Sequence, residues 1–251
     1  MDLLLLPGLL CDDASWAGVA ARLAGIARCR VAGYGDADSL EAMARRALEG
    51  APERFALAGH SMGARVACEI LRAAPQRVTH LAVFDTGHAG APTGAAWEAE
   101  RDRRLALVEI ARTQGMRALA HAWMPPMVHA ARLADAELVD AIVAMVARST
   151  PGRFAAHVDA LLRRPRVDGV LRSVRVPALV GCGREDGWSP LAQHGEIAAL
   201  LPGSRLVVFE DCGHMAPMER PADVAAALRS LLCGPAGRDA SAKRAEAAAG
   251  T

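Results

Sequence analysis

Short apolar runs alternate with longer amphipathic stretches along most of the chain, the pattern of a parallel sheet covered by helices. Strands are predicted at residues 2–6, 28–32, 55–59, 79–85, 176–182 and 205–210, each bounded by Gly, Pro or Asp. Leu81-Ala82-Val83-Phe84 and Leu206-Val207-Val208-Phe209 show little polar alternation, as strands buried on both faces do. Helices are predicted near 15–24, 39–49, 62–74, 190–200 and 221–232. The last has Pro221 at its first turn and Val224, Leu228, Leu231 and Leu232 spaced three or four apart, an amphipathic closing helix.

Between Gly87 and Pro165 no strand pattern occurs, and Leu105, Val108, Ile110, Leu119, Leu133, Leu138, Ile142 and Val146 predict several helices separated by Pro125-Pro126 and Pro151-Gly152. The expected organisation is a core of residues 1–86 and 166–233 with an all-helical insertion, 87–165, between two strands. From 234 to 251 the chain holds Ala, Gly and charges without apolar period, and a disordered tail is expected. The opening Leu3-Leu4-Leu5-Leu6 is read as a buried strand. No Lys or Arg precedes it, and Pro7-Gly8 ends it far short of the ~20 apolar residues of a membrane span.

Composition narrows the partners. Lys+Arg of 29 against Asp+Glu of 28 leaves a net charge of +1, which excludes a strongly basic nucleic-acid binder, so recognition rests on local chemistry. Only Lys243 among the cationic residues is lysine, which reads as genome composition rather than phosphate recognition. Cys11, Cys29, Cys68, Cys182, Cys212 and Cys233 form no C-x-x-C pair, and five of them sit among apolar or small residues; a reduced, cytoplasmic setting is expected. Neither His nor Cys shows metal-ligand spacing, so no metal is expected.

The sharpest motif is Gly59-His60-Ser61-Met62-Gly63, a G-x-S-x-G element directly after an apolar strand and directly before a helix. Such a turn leaves no room for a Cβ at either glycine and holds Ser61 in a strained conformation with its hydroxyl projecting. A serine nucleophile needs a base, and the base an orienting acid. Asp186, after the strand Ala178-Leu179-Val180-Gly181-Cys182, and His214, in Asp211-Cys212-Gly213-His214-Met215, supply them in the order Ser, Asp, His, all at carboxyl ends of strands. Asp85, closing the strand before, is the rival acid; Glu185 and Asp211 are weaker alternatives. His60 is expected to pack against the first loop, and His80, His88, His121, His129, His157 and His194 lack a comparable loop context. The backbone N–H of Met62, and that of Leu9 in Pro7-Gly8-Leu9-Leu10, are candidate oxyanion donors.

These residues resemble the α/β-hydrolase superfamily, in its single-domain, cap-bearing branch of serine esterases and carbon–carbon bond hydrolases. The resemblance runs from the Pro7-Gly8-Leu9 loop through Gly59–Gly63 to Val176-Pro177-Ala178-Leu179-Val180, Gly183–Asp186 and the Gly213-His214-Met215 loop followed by Glu219-Arg220-Pro221. It implies an α/β-hydrolase fold with a mostly parallel, doubly wound sheet and a helical cap at 87–165. It also implies the triad Ser61, Asp186 and His214, an oxyanion hole from Leu9 and Met62, and no cofactor. Two departures stand out. Pro7-Gly8 replaces the usual His-Gly, removing a histidine that braces the loop, and Ala32-Gly33-Tyr34-Gly35 replaces Asp-x-x-Gly-His-Gly at one wall of the site. With the first strand already at the oxyanion hole, the sheet is expected to have about six strands rather than the family's eight, a shortened N-terminus.

The expected activity is serine-dependent hydrolysis of a small or medium carboxylic ester by a monomer or homodimer acting on a small molecule, with no nucleic-acid or membrane partner. The alternatives are a carbon–carbon hydrolase of vinylogous diketones with the same triad, and, from another class, a weakly catalytic ligand receptor on this fold. Trp123, Met124, Met127 and Trp188 are candidate substrate contacts; Arg101, Arg103, Arg104, Arg163 and Arg164 are candidates to bind an acidic group or an acyl-carrier partner, with a solvated face the favoured reading. The four tryptophans, 16, 97, 123 and 188, are expected to gather around the pocket.

Overall fold

The structure is a computed structural model in which residues 1–234 are described, so all but Gly234 of the expected tail at 234–251 lies outside the described residues. Along the chain run β1 (Asp2–Leu6), α1 (Ala14–Arg22), β2 (Arg28–Val31), α2 (Leu40–Leu48), β3 (Phe55–His60), α3 (Met62–Ala73) and β4 (Val78–Phe84). A helical stretch follows, with α4 (Ala95–Gln114), α5 (Met116–Trp123), a 3-10 turn at Ala130–Ala134, α6 (Ala136–Ala147) and α7 (Pro151–Leu162). The chain closes with α8 (Asp168–Ser173), β5 (Ala178–Gly183), α9 (Leu191–Leu200), β6 (Arg205–Phe209), α10 (Ala216–Glu219) and α11 (Pro221–Cys233).

All six strands are parallel, in the order β2-β1-β3-β4-β5-β6. The order reverses between β1 and β3, and the crevice beyond their carboxyl ends is where an open α/β sheet accepts a ligand. The first loop and Ser61 both stand there. Because side chains alternate along a strand, continuous apolar runs divide between two cores. Leu4, Leu6, Leu57, Leu81 and Val83 face α2 and α3, whereas Leu3, Leu5, Ala58, Ala82 and Phe84 face α1 and α11. In α11 the buried Val224, Leu228 and Leu232 form the stripe its periodicity predicts.

Two expectations about elements need correction. The fifth strand begins at Ala178 rather than 176, because Pro177 has no N–H for the ladder, although its carbonyl accepts from Leu81 N–H at 3.0 Å. The tryptophans do not all gather around one cavity. Trp16 is fully buried on the opposite sheet face, edge-on to Phe84 at 5.9 Å, since an indole is also efficient core filling.

The stretch carrying α4 to α7 leaves and re-enters the sheet region at one place: Ala91 N–H donates to Arg164 O at 2.9 Å, and Val167 N–H to His88 O at 3.1 Å. Its helices start where side chains satisfy first-turn donors. Asp135 accepts from Leu138 N–H at 3.2 Å, and Thr150, ahead of Pro151, from Arg153 N–H at 3.1 Å. One apolar cluster runs without a break from Leu4, Leu57 and Met62 into Leu119, Trp123, Ile142 and Phe154, so these helices share the core of the sheet. Among the described residues, no helix is long and apolar enough to cross a membrane.

Candidate active site

Ser61 is the single residue between β3 and α3, with φ 53° and ψ −116°. An L-residue rarely holds this conformation, and here the surroundings impose it. A Cβ at Gly59 would lie 2.6 Å from Ala64 N, and one at Gly63 would fall on the Leu6 carbonyl, so neither turn residue tolerates a side chain. Ser61 N–H donates to Phe84 O at 2.8 Å, and Thr86 Oγ1 donates to Ser61 O at 3.1 Å. The neighbouring strand thus clamps the elbow from both sides.

Three sequence-distant residues meet at this point. His214 Nε2 lies 2.8 Å from Ser61 Oγ, and His214 Nδ1 lies 2.8 Å from Asp186 Oδ2. The other oxygen of Asp186 accepts from the N–H groups of Trp188 and Ser189, both at 2.8 Å. Burial alone would raise the Asp186 pKa, but His214 and these donors together outweigh it and hold the carboxyl below its ordinary value. A fixed carboxylate then selects the Nδ1–H tautomer and leaves Nε2 free to accept from the serine.

Asp85 is brought close and given another job. Its Oδ1 accepts from Gly183 N–H at 2.9 Å, and its Oδ2 lies 3.7 Å from His60 Nε2; neither oxygen bonds to His214. Burial, followed by the Asp186 charge, raises its pKa well above the carboxylate range. His60 packs against Gly8, as expected, and also donates from Nε2 to His214 O at 2.6 Å; burial drives its pKa down to about 3, so the ring is neutral. Asp85, Cys182, Asp186 and His194 bring ligand-type atoms within 4.8 Å of one another behind the triad. Their atoms are engaged otherwise: His194 Nε2 accepts from Thr86 N–H at 2.9 Å and Cys182 Sγ faces Gly183 O at 3.0 Å. With Asp186 also occupied, Asp85 Oδ2 alone is unpartnered, a donor set that does not fit a metal.

The residues open onto a cavity of about 590 Å³ that Leu9, Met62, Trp123, Met127 and Trp188 line; Met124 is buried but not part of the lining. Met62 starts α3, where a helix leaves N–H groups without intrahelical acceptors. Sequence reasoning passed over two supports. Tyr34 Oη donates to Pro7 O at 3.1 Å and so braces the first loop that lacks the usual histidine. Glu219 accepts from Gly213 and Met215 N–H, each at 3.1 Å, and from His129 N–H at 2.9 Å, while His214 N–H donates to Met127 O at 2.8 Å. The histidine loop is therefore held partly by the helical stretch. The Glu-Arg-Pro triplet was visible, but only three-dimensional contact reveals what its glutamate grips.

A family model described as the alpha/beta hydrolase family matches residues 3–227. The chain is 25% identical over 248 residues to a pimeloyl-[acyl-carrier protein] methyl ester esterase of Aromatoleum aromaticum, covering 93% of this chain and 98% of that one. It is 24% identical over 185 residues to a 2-hydroxy-6-oxononadienedioate/2-hydroxy-6-oxononatrienedioate hydrolase of Pseudomonas putida, covering 66% and 58% respectively. Among solved structures, a thermophilic esterase from Thermogutta terrifontis, malate bound, superposes with a TM-score of 0.80 at 26% identity, covering 92% of this chain and 89% of that one.

Proposed function

Since the chain belongs to the alpha/beta hydrolase family, we propose that it is a serine hydrolase of small to medium carboxylic esters, with Ser61, His214 and Asp186 as its triad. The observation that carries this reading is the unbroken relay Ser61 Oγ, His214, Asp186, with 2.8 Å at each step. His214 Nε2 takes the Ser61 proton as Oγ attacks the ester carbonyl, and the backbone N–H groups of Leu9 and Met62 receive the developing oxyanion. Asp186 keeps the ring oriented and stabilises its cationic form. His214 then gives the proton to the departing alcohol, and water repeats the sequence on the acyl-serine. Residues 87–165 act as a cap, with Trp123, Met127 and Trp188 contacting substrate.

A panel of p-nitrophenyl esters from acetate to octanoate tests the reading. The wild type is expected to turn them over, and Ser61→Ala to lower kcat/KM by at least about a thousandfold. Turnover that persists in the variant would rule the serine mechanism out. Similarity to the Pseudomonas putida hydrolase supports a second reading, carbon–carbon cleavage by the same triad. It predicts faster reaction with a ring-cleavage dienoate than with any ester of the panel.

A further inference from the structure

The cavity wall beside the serine is strongly cationic. Arg65 lies in the first turn of α3, four residues after Ser61, and lines the same cavity. It is 7% exposed, and its one side-chain hydrogen bond among the described residues runs from Nη1 to Ala89 O at 2.8 Å; no carboxylate there is within ion-pair distance. Arg104, from α4, and Arg164, just beyond α7, share a single carboxylate: both lie against Glu100 Oε1, at 2.9 and 2.7 Å. Arg103 stands exposed at the rim. These four arginines and Glu100 line the same cavity as Ser61 and His214, with no other Asp, Glu, Lys or Arg in the lining. Formally, three positive charges are left without an acid.

A buried guanidinium with no counter-charge is costly, and a second and third beside it add repulsion. The cost shows at Arg65, whose pKa is pushed down to about 10 by burial and then by Arg164. It still carries its proton at neutral pH. A planar carboxylate matches the paired N–H groups of a guanidinium, and inside a half-enclosed cavity the attraction is little screened. Trp123, Phe154, Val158 and Leu161 form an apolar part of the same cavity, suited to a short hydrocarbon chain between two polar ends.

Resting on the ester-hydrolase reading, we propose that this cavity selects esters bearing a second, free carboxylate, which Arg65 binds together with Arg104 and Arg164 while the scissile carbonyl lies at Ser61. Matched substrate pairs test it. Mono-p-nitrophenyl glutarate against p-nitrophenyl butyrate carries the carboxylate on the acyl side, and 4-carboxyphenyl butyrate against phenyl butyrate carries it on the alcohol side. In the wild type, at least one carboxylated member is expected to have a kcat/KM about tenfold or more above its neutral partner, the worth of one charge-assisted hydrogen bond. That ratio is expected to fall about tenfold in Arg65→Gln and in Arg164→Gln. Two variants are used because a buried arginine can be needed for folding. Neutral esters hydrolysed with no preference for either carboxylated partner, or a ratio untouched in both folded variants, overturns the proposal. If no ester reacts, the hydrolase reading fails instead, and calorimetry with monomethyl glutarate on Ser61→Ala still decides the subsite. Saturable binding that Arg65→Gln or Arg164→Gln weakens supports it, and no binding overturns it.

Discussion

Asp85 directly follows β4 and Asp186 lies in the loop after the neighbouring β5, and their pKa values shift in opposite directions because of who their neighbours are. Two buried carboxylates this close cannot both ionise cheaply, so the one facing His214 and two N–H donors is shifted toward its charged form and the other toward its neutral form. The sequence favoured Asp186 and kept Asp85 as its rival, because both follow strands and only the path of the loop decides which carboxyl reaches the histidine. Asp186→Asn is expected to lower kcat by about three to four orders of magnitude, whereas Asp85→Asn keeps turnover. The second variant has a further signature. A raised folded-state pKa means that above pH ~4 the wild type must take up a proton at Asp85 to fold, so its stability falls as pH rises until the folded-state pKa is passed. Asparagine removes that proton uptake. Asp85→Asn should therefore gain on the wild type between pH 5 and 8, by up to about 1.4 kcal/mol per pH unit, in urea unfolding. A gain that does not change with pH contradicts the neutral buried acid.

At the scale of elements, the site is a set of loops that the ends of strands and helices hold taut. The elbow is legible in the sequence, since strand, Gly-x-Ser-x-Gly and helix follow one another without a gap and the crowding at Gly59 and Gly63 follows from that alone. The histidine loop was legible only as a position. What steadies it is the four-residue α10, which brings the 2% exposed Glu219 beneath Gly213 and Met215 and against His129. Burial raises the pKa of this carboxyl, only partly offset by those N–H donors. Glu219→Gln confronts at least one donor with an amide NH₂. It is expected to cost about 1–3 kcal/mol in urea unfolding and to reduce kcat on p-nitrophenyl butyrate as His214 loosens. Unchanged stability together with unchanged kcat would remove Glu219 from this role.

For the whole molecule, the helices between β4 and β5 and the sheet share one apolar cluster, and the helical stretch supplies the Met127 carbonyl that anchors His214. The two parts should then unfold together. Single-tryptophan variants retaining only Trp16, in the core under the sheet, or only Trp123, in the helical stretch, are expected to report the same urea midpoint. Two separate midpoints would show the stretch to be an independent unit. By itself, the sequence determined the alternation of strands and helices, the six-stranded sheet, the elbow and the order of the catalytic candidates, because periodicity and crowding act between residues close along the chain. Tertiary structure decided what depends on residues far apart. It placed Asp186 rather than Asp85 beside His214, turned Trp16 into core and Tyr34 into the brace of the first loop, and gathered Arg65, Arg104 and Arg164 in the wall of one cavity. Those outcomes rest on distances set by packing, and spacing along a chain carries no record of them.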